Sequence, residues 1–426
     1  MFALFFALGV GFSIPATSHA LTTEELQTQI QKKQQEKAAL DAENKKLQAQ
    51  IDVANAQAKT LQGAVKALDT TAKKLQNDLK VTTNKIDTTK LTIQDLGIKI
   101  SETEQTVEEN KKAMEETLRS IHQIDNASLI QTLLQYKNIN ELWSAVESLH
   151  QFQTLVKQKT DELNSLNEKL QNQKSQNEDQ NKSLVNLKSE LSTKKTIVDQ
   201  NKQAKNTLLV QTKNQESLYE KQLKANIEKG KQFEQELFQF ESQLSIQLDK
   251  SKLPTKKSGA LDWPVDSPVL TQRFGRTSDS GRLYVSGTHN GVDFRASVGT
   301  IVKSVGDGKV VGMGNTDDQS GCYSYGRWLL IEHTNGLSSL YAHLSAYRVT
   351  MGQNVSTGDV VAYSGGQPGM QGAGYSTGPH LHLGLFASQG VRVGKYTSSK
   401  FCKNVSIPIV EGLNAYLDPL AYLPAI

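Results

Sequence analysis

The chain has 426 residues and a formal net charge of +4, with 37% hydrophobic and 22% charged residues. A single chain of this length ordinarily forms two or three domains if all of it packs into globules. From residue 259 onward, 12 Lys and Arg stand against 11 Asp and Glu. That part therefore lacks the basic surface of a nucleic-acid-binding protein, and we expect no nucleic acid among the partners.

The first 20 residues are typical of a secretory signal peptide. Residues 2–14 form an apolar run that ends before Pro15, and Ser18-His19-Ala20 follows as a small-x-small cleavage pattern. The run is too short to span a bilayer comfortably, although no Lys or Arg precedes it. We predict an exported protein that is periplasmic or cell-wall associated; the alternative is a buried N-terminal helix.

A long helical region follows, because turn-forming residues are almost absent from it. Between Leu21 and Ser258 there are three glycines and one proline. Apolar and small residues recur there at alternating steps of three and four, which is the seam of a left-handed coiled coil. The clearest seam positions are Leu61, Leu68, Leu75, Thr82, Ile86, Thr89, Ile93, Leu96, Ile100, Thr103 and Val107 in the first half, and Leu155, Leu163, Leu166, Leu170, Leu184, Leu187, Leu191, Val198 and Leu208 in the second.

These seams predict a coiled-coil arm over residues 21–125 and a second arm over 151–249. Residues 126–150 are more apolar and contain a plausible helix break, so we interpret them as a small helical tip where the chain reverses. The two arms can pair antiparallel within one molecule, or two chains can pair in a dimer. The sequence leaves both arrangements open.

The composition changes at a charged linker over residues 250–259. Of the 30 glycines, 25 lie at or beyond its last residue, between short runs rich in β-formers such as 328–333 and 360–363. This pattern predicts an all-β domain of many short strands over residues 260–426. The chain is therefore expected to be multidomain, with a long α-helical coiled coil followed by an all-β domain.

Four histidines and an aspartate in this domain have the spacing of a metal site. They are His289 and Asp293 in His-Asn-Gly-Val-Asp, His343 in Tyr-Ala-His-Leu, and His380 and His382 in Gly-Pro-His-Leu-His. Imidazoles and a carboxylate suit Zn²⁺, and three protein ligands leave a fourth position for a reactive water. Because His380 and His382 are two residues apart, a strand would project both from one face.

These three motifs, in this order, resemble those of the lysostaphin/LytM-type zinc metallopeptidases. The resemblance covers about residues 260–423 and implies an all-β domain of the duplicated hybrid motif type, with a groove in which peptide bonds of peptidoglycan are cleaved. It implies that His289, Asp293 and His382 bind zinc, and that His343 and His380 act beside the bound water. Which of these two is the general base stays open. The loop 365–374 is longer than in the family, and Gly384 replaces a frequent acidic residue, so cleavage specificity can differ.

A signal, a long coiled coil and a LytM-like domain together resemble the murein hydrolase activators of cell separation. In several of these the metal ligands have decayed, and the domain switches on an amidase instead. This chain keeps every ligand, which favours an enzyme over the alternative of a non-catalytic activator. For the coil we consider two hypotheses: it reaches a membrane or divisome protein, or it covers the groove until a partner removes it.

The two cysteines, Cys322 and Cys402, both lie in the β-domain. In an exported chain an even pair is more often a disulfide than two free thiols. The alternative is that they are two unrelated core residues.

Overall fold

The computed structural model describes residues 22–125, 139–243, 251, 256–277, 287–397 and 399–425. The predicted signal peptide, half of the predicted linker (residues 250 and 252–255) and residues 126–138 of the predicted tip lie outside this part. The chain divides into two compact units: Met1–Lys37 with Asn84–Lys188, and Ala38–Thr83 with Ser189–Ile426. The second unit contains the β-domain and the helical segments packed on it.

Four helices account for most of the N-terminal half. They are α1 (Thr23–Ala56), α2 (Leu61–Asp125), α3 (Ile139–Thr212) and α4 (Glu216–Gln243). Among the described residues, no helix combines the length and the hydropathy needed to cross a bilayer. The helical region followed by a β-rich domain confirms the predicted fold class.

Much of the predicted seam is buried, although not all of it. The seam positions that are buried are Leu61, Leu68, Leu75, Thr82, Ile86, Thr89, Leu96, Thr103, Val107 and Val198. Leu155, where the second seam was expected to begin, is 57% exposed. The buried seam positions of α2 therefore run from its first residue, Leu61, to Val107, and in α3 the buried seam position is Val198.

Helices α2 and α3 run antiparallel within the single chain. In the second unit, Nζ of Lys194 donates to Oγ1 of Thr82 at 3.0 Å, and Nζ of Lys205 donates to Oδ1 of Asp69 at 2.6 Å. Residue numbers rise along one helix as they fall along the other. Within the second unit this pairing is intramolecular, and pairing of two chains in a dimer stays open.

The first predicted arm is not one continuous helix, because the chain turns between α1 and α2. The hydroxyl of Thr60 accepts a hydrogen bond from the Gly63 amide at 3.1 Å and so caps the start of α2. A side chain at Gly63 would place its Cβ 2.0 Å from the carbonyl oxygen of Gln57. The close turn therefore requires glycine there, although this glycine does not interrupt the seam pattern.

A second turn divides the second predicted arm into α3 and α4. Lys213 and Asn214 have φ angles of 48° and 55°, in the left-handed region that ends a helix. Across this turn, Nε2 of Gln222 donates to Oε1 of Gln211 at 2.8 Å, so α4 returns along α3. The seam repeat does not reveal this reversal either.

In the part of the β-domain that the structure describes, twelve short strands form three antiparallel sheets. The strands are β1 (Leu270–Gln272), β2 (Gly291–Arg295), β3 (Ile301–Lys303), β4 (Gly308–Asn315), β5 (Arg327–His333), β6 (Leu337–Ala342), β7 (Leu344–Tyr347), β8 (Asn354–Val355), β9 (Val360–Ser364), β10 (His380–Ala387), β11 (Val391–Lys395) and β12 (Ser406–Val410). The largest sheet has the order β1-β2-β10-β6-β5-β4-β8, and the others are β3-β9-β7 and β11-β12.

The order of the large sheet determines which motifs meet. Strand β10 lies between β2 and β6, with His382 opposite Asp293 on one side and Ala342 on the other. His343 follows directly after β6. A buried core that includes Phe294, Leu381 and Leu383 holds these three strands from behind. Three motifs that are far apart in the chain therefore arrive on neighbouring strands.

Candidate metal centre

Three of the predicted site residues bring one ligand atom each to a single point. Nε2 of His289 lies 3.1 Å from Nδ1 of His382 and 3.3 Å from Oδ1 of Asp293. Nδ1 of His382 lies 2.9 Å from the same carboxylate oxygen. All three residues are buried, and they are the only such cluster of potential ligands among the residues that the structure describes.

This triangle fits a tetrahedral zinc ion. Zn–N and Zn–O bonds of about 2.0–2.1 Å at tetrahedral angles separate neighbouring ligand atoms by about 3.3 Å. The imidazole of His289 is also oriented for this role, since its Nδ1 lies 3.0 Å from the carbonyl oxygen of Arg273. A carbonyl oxygen can only accept, so Nδ1 carries the proton and Nε2 is left with its lone pair. The donor set therefore matches Zn²⁺ in both chemistry and spacing.

The glycine of the His-Asn-Gly-Val-Asp motif is explained by this packing. A Cβ at Gly291 would lie 2.7 Å from two ring atoms of His382 and 2.5 Å from the carbonyl oxygen of Leu383. Those distances are far below van der Waals contact. Strand β2 can therefore approach β10 closely enough to align His289 and Asp293 with His382 only when residue 291 has no side chain.

The electrostatics of the cluster keep Asp293 ionised and disfavour the charged form of His382. Burial by itself would raise the pKa of Asp293, but the neighbouring imidazoles of His380, His289 and His382 lower the pKa well below its ordinary value. Burial lowers the pKa of His382, although its hydrogen bond to Asp293 opposes this shift. A carboxylate with unprotonated imidazoles is the state that binds a divalent cation.

His380 and His343 lie beside the triangle and share one orientation. Nδ1 of His380 lies 2.7 Å from the carbonyl oxygen of Gly378, and Nδ1 of His343 lies 2.8 Å from that of Ala373. Each Nδ1 is therefore the protonated nitrogen, and each Nε2 is the basic one. The two ring centroids are 4.7 Å apart, and Nε2 of His380 is 3.7 Å from Oδ1 of Asp293.

The backbone at His343 has a conformation that is uncommon for a residue with a side chain. Its φ is 58°, between the end of β6 and the start of β7. The amide of His343 donates to the carbonyl oxygen of Tyr325 at 2.9 Å, which helps to hold this geometry. Strained backbone of this kind persists where the surrounding structure fixes it, often at functional sites. Burial and the nearby imidazoles of His380 and His382 lower the pKa of His343 well below its ordinary value.

Two polar residues that support these imidazoles were not identified as site residues from the sequence. Oγ of Ser376 lies 3.2 Å from Nδ1 of His380 and 2.7 Å from the carbonyl oxygen of Gly378. Asp317 accepts hydrogen bonds from the backbone amides of Gly372 and Gly374, on both sides of Ala373. Ser376 lies two residues before the Gly-Pro-His-Leu-His motif, so a sequence signal existed for it. For Asp317 the sequence offers none.

Helix α4 packs against the face of the β-domain on which His289 lies. None of the predicted site residues lines a cavity of about 410 Å³ in another part of the domain. A smaller cavity of about 210 Å³ is lined by His289 and Asn290. The α4 side chains that line the smaller cavity are Glu234, Leu237, Phe238 and Glu241. Further along the helix, a Cβ at Gly230 would lie 2.4 Å from the ring of Tyr375. The helix thus extends from the loop before His380 to the neighbourhood of His289.

The structure contains a disulfide between Cys322 and Cys402. Both residues are buried in a cluster with Phe233 and Leu237 of α4 and with Tyr396. The disulfide therefore lies in the surface on which α4 packs.

Comparison with known proteins identifies the segment that carries the site. Residues 287–394 match the profile of Peptidase family M23, and all five predicted site residues fall in this segment.

The curated relatives include the DD-carboxypeptidase/endopeptidase Mpg of Neisseria meningitidis, 39% identical over 94 residues, which are 22% of this chain and 19% of that protein. The glycyl-glycine endopeptidase ALE-1 of Staphylococcus capitis is 39% identical over 98 residues, 23% of this chain and 24% of the relative. The peptidoglycan DD-endopeptidase ShyA of Vibrio cholerae is 37% identical over 128 residues, 29% of this chain and 26% of the relative. The chain thus spans only about a fifth to a quarter of the length of these proteins.

Proposed function

We propose that this chain, which carries an M23 peptidase domain with lysostaphin-type homologues, is a zinc metalloendopeptidase that hydrolyses peptide bonds of peptidoglycan. The observation that carries the proposal is the triangle of ligand atoms from His289, Asp293 and His382, with the basic nitrogens of two further imidazoles beside it. A site with three protein ligands and an open position is the arrangement of catalytic zinc rather than structural zinc.

In this mechanism His289, Asp293 and His382 hold the ion. Zinc bound there supplies a lowered pKa for a water molecule and polarises the carbonyl of the scissile bond. The Nε2 atoms of His343 and His380 accept a proton from the attacking water and return one to the leaving amine. Either imidazole can do this, because a backbone carbonyl fixes the Nδ1 proton of each. The division of the two roles between them stays open.

The relatives support this substrate class, since one is a glycyl-glycine endopeptidase and another is a peptidoglycan DD-endopeptidase. Export to the periplasm or cell wall would bring the chain to that substrate, and residues 1–20 have the pattern of a signal for it. A role in wall remodelling or cell separation belongs to the same proposal, as does recruitment of a membrane or divisome protein through the helices.

Zinc content and peptidoglycan solubilisation by the purified full chain test the catalytic part. His289→Ala and His382→Ala should lose both the bound zinc and hydrolysis, while His343→Ala and His380→Ala should keep zinc and lose hydrolysis. His150→Ala, on the exposed surface of α3, is the matched control and should change neither. Stoichiometric zinc without solubilisation by the wild type would contradict the enzyme and favour an activator of a separate amidase.

The contacts of α4 support a regulatory role for the helical region. The helix carries an interior glycine, which costs roughly 1 kcal/mol relative to alanine, and at Gly230 the close ring of Tyr375 accounts for it. Phe233 and Leu237 are buried against the disulfide-containing cluster. On the other flank, Asn55 of α1 lies next to Gly378, and Asp52 is 3.6 Å from Arg295. These contacts support the proposal that the chain's own helices cover the approach to the site.

Gly230→Leu in the full chain tests this covering role. A leucine cannot fit against Tyr375, so α4 should detach and hydrolysis should rise several-fold. Gly97→Leu is the control, because a Cβ at Gly97 of α2 meets nothing within 4 Å. Equal hydrolysis rates for Gly230→Leu and the wild type, with α4 more exposed to protease in the variant, would contradict the covering role and leave the catalytic proposal intact.

A further inference from the structure

The carbonyl that orients His343 belongs to an unusual loop. Ala373 lies between Gly372 and Gly374, whose φ angles of 91° and 58° are both in the left-handed region. A Cβ at Gly372 would lie 2.6 Å from the carbonyl oxygen of Leu344, and one at Gly374 would lie 2.1 Å from that of Ser324. The loop is therefore in close contact with strand β7 and with the segment before β5, which only glycine permits.

One carboxylate holds this loop. Oδ2 of Asp317 accepts hydrogen bonds from the amides of Gly372 at 2.8 Å and Gly374 at 3.2 Å. The two amides flank Ala373, so the carboxylate fixes the peptide whose oxygen binds His343. Hydrogen bonds from amides to an ionised carboxylate are stronger than those between neutral groups.

Asp317 is itself held in place. It lies in a short 3₁₀ turn, Thr316–Asp318, and its amide donates to Oδ1 of Asn315 at 3.2 Å. Thr316 is joined to Gly326 by two hydrogen bonds, both of 2.9 Å, one through the backbone and one through the threonine hydroxyl. Burial raises the pKa of Asp317, while the amides of Gly374 and Gly372 oppose the shift. The carboxylate is thus tied to the edge of β4 and β5.

We propose that Asp317 is a positioning residue for the peptidase reaction, acting through Gly372, Ala373 and Gly374 to hold His343 with its proton on Nδ1 and its Nε2 toward the metal centre. The expected effect of Asp317 on the reaction rate rests on the proposed function. Its expected effect on the orientation and tautomer of the His343 imidazole does not. It also gives a role to the long loop 365–374, in which the sequence departs from the family pattern.

The effect is expected on turnover rather than on substrate binding. Without the carboxylate, the 372–374 peptides lose two hydrogen bonds and Ala373 can move away from Nδ1. The imidazole can then rotate or change tautomer, and small misplacements of a reacting group lower rates by up to about 100-fold. The ligands His289, Asp293 and His382 do not contact Asp317 through any of these bonds, so zinc should be retained.

The experiment uses the full chain with Asp317→Ala, Asp317→Asn and the control Asp318→Ala. Asp318 is the exposed neighbour on the same turn, and its carboxylate accepts from Asn315 at 2.8 Å. The readouts are kcat and KM on peptidoglycan fragments, zinc content, and ¹⁵N NMR of the His343 ring, which reports the tautomer directly.

We expect Asp317→Ala to lower kcat at least tenfold with KM and zinc content unchanged, and to lose the single Nδ1–H tautomer. Asp317→Asn keeps an oxygen that can accept both amides and should recover to within about threefold of the wild type. Asp318→Ala should match the wild type. A wild-type kcat and tautomer in Asp317→Ala would overturn the inference, as would equal losses in Asp317→Asn and Asp317→Ala. If the wild type does not hydrolyse peptidoglycan, the proposed function fails, and the His343 tautomer alone decides the positioning role.

Discussion

At the scale of single residues, the absence of a side chain at Gly291 shapes the site as much as the ligands do. We predict that Gly291→Ala forces β2 away from β10, because its Cβ would meet the His382 ring at 2.7 Å and the Leu383 carbonyl at 2.5 Å. Overpacking of this kind typically costs about 1–3 kcal/mol of unfolding free energy. Zinc affinity should fall as well, because the His289–His382 distance is set by the same contact. Urea unfolding and a zinc competition titration measure the two effects.

Gly384→Ala is a control on the same strand. Its Cβ would come no closer than 3.3 Å, to Leu340 and Phe386, so small shifts can accommodate it. We expect an unfolding free energy and a zinc affinity near those of the wild type. Equal losses in the two variants would show that any added methyl in β10 or β2 disturbs the domain, and would remove the special role of Gly291.

The sequence predicted the five residues that the structure brings together, whereas the residues that support them could not be predicted. His289, Asp293 and His382 come together because β2 and β10 pair in register, and period-2 alternation already placed His380 and His382 on one face. Ser376 and Asp317 act by hydrogen bonds to carbonyl and amide groups of the loop. Such contacts depend on how a glycine-rich loop folds back, and residue type at a fixed spacing does not encode that.

At the scale of elements, the Cys322–Cys402 disulfide joins the segment before β5 to the segment between β11 and β12. We predict that Cys322→Ser with Cys402→Ser lowers the stability of the β-domain by about 2–5 kcal/mol, because closing a long loop constrains the unfolded chain. Thermal unfolding followed by near-ultraviolet circular dichroism measures the change. Reduced wild type should resemble the double variant; an unchanged melting temperature in both would contradict a stabilising role.

Helix existence was predictable and helix ends were not. A seam repeat indicates that one face of a helix is buried. The repeat continues past a turn of the chain when the next helix buries a face at the same repeat positions. The turn at Gly63 and the turn at Lys213 and Asn214 are set by a cap and by left-handed backbone, which are local signals only a few residues long. The long apolar repeat therefore concealed two hairpins.

At the scale of the whole molecule, packing of α4 on the β-domain buries carboxylates. Glu241 is 2% exposed; it accepts hydrogen bonds from the Tyr416 hydroxyl at 2.6 Å and the Val410 amide at 3.2 Å. Burial raises its pKa from 4.5 to about 7 despite these bonds. Burial and the charge of Glu241 raise the pKa of Glu234 to about 8. The phenol of Tyr325 faces the same pair, and burial keeps it protonated.

Attachment of α4 should therefore weaken as the pH rises. Both carboxyls bind protons more tightly when α4 is attached than in a detached helix, where the ordinary value is 4.5. The stabilisation of α4 attachment by these two carboxyls is thus complete below about pH 4.5 and is lost as the pH rises through 7 and 8. Hydrogen exchange of α4 amides, corrected for intrinsic rates, should show less protection at pH 9 than at pH 6. Glu241→Gln should reduce this pH dependence, whereas Glu228→Gln, on the exposed face of α4, should not. Protection that is constant from pH 6 to 9 in the wild type would mean that these carboxylates do not control the attachment.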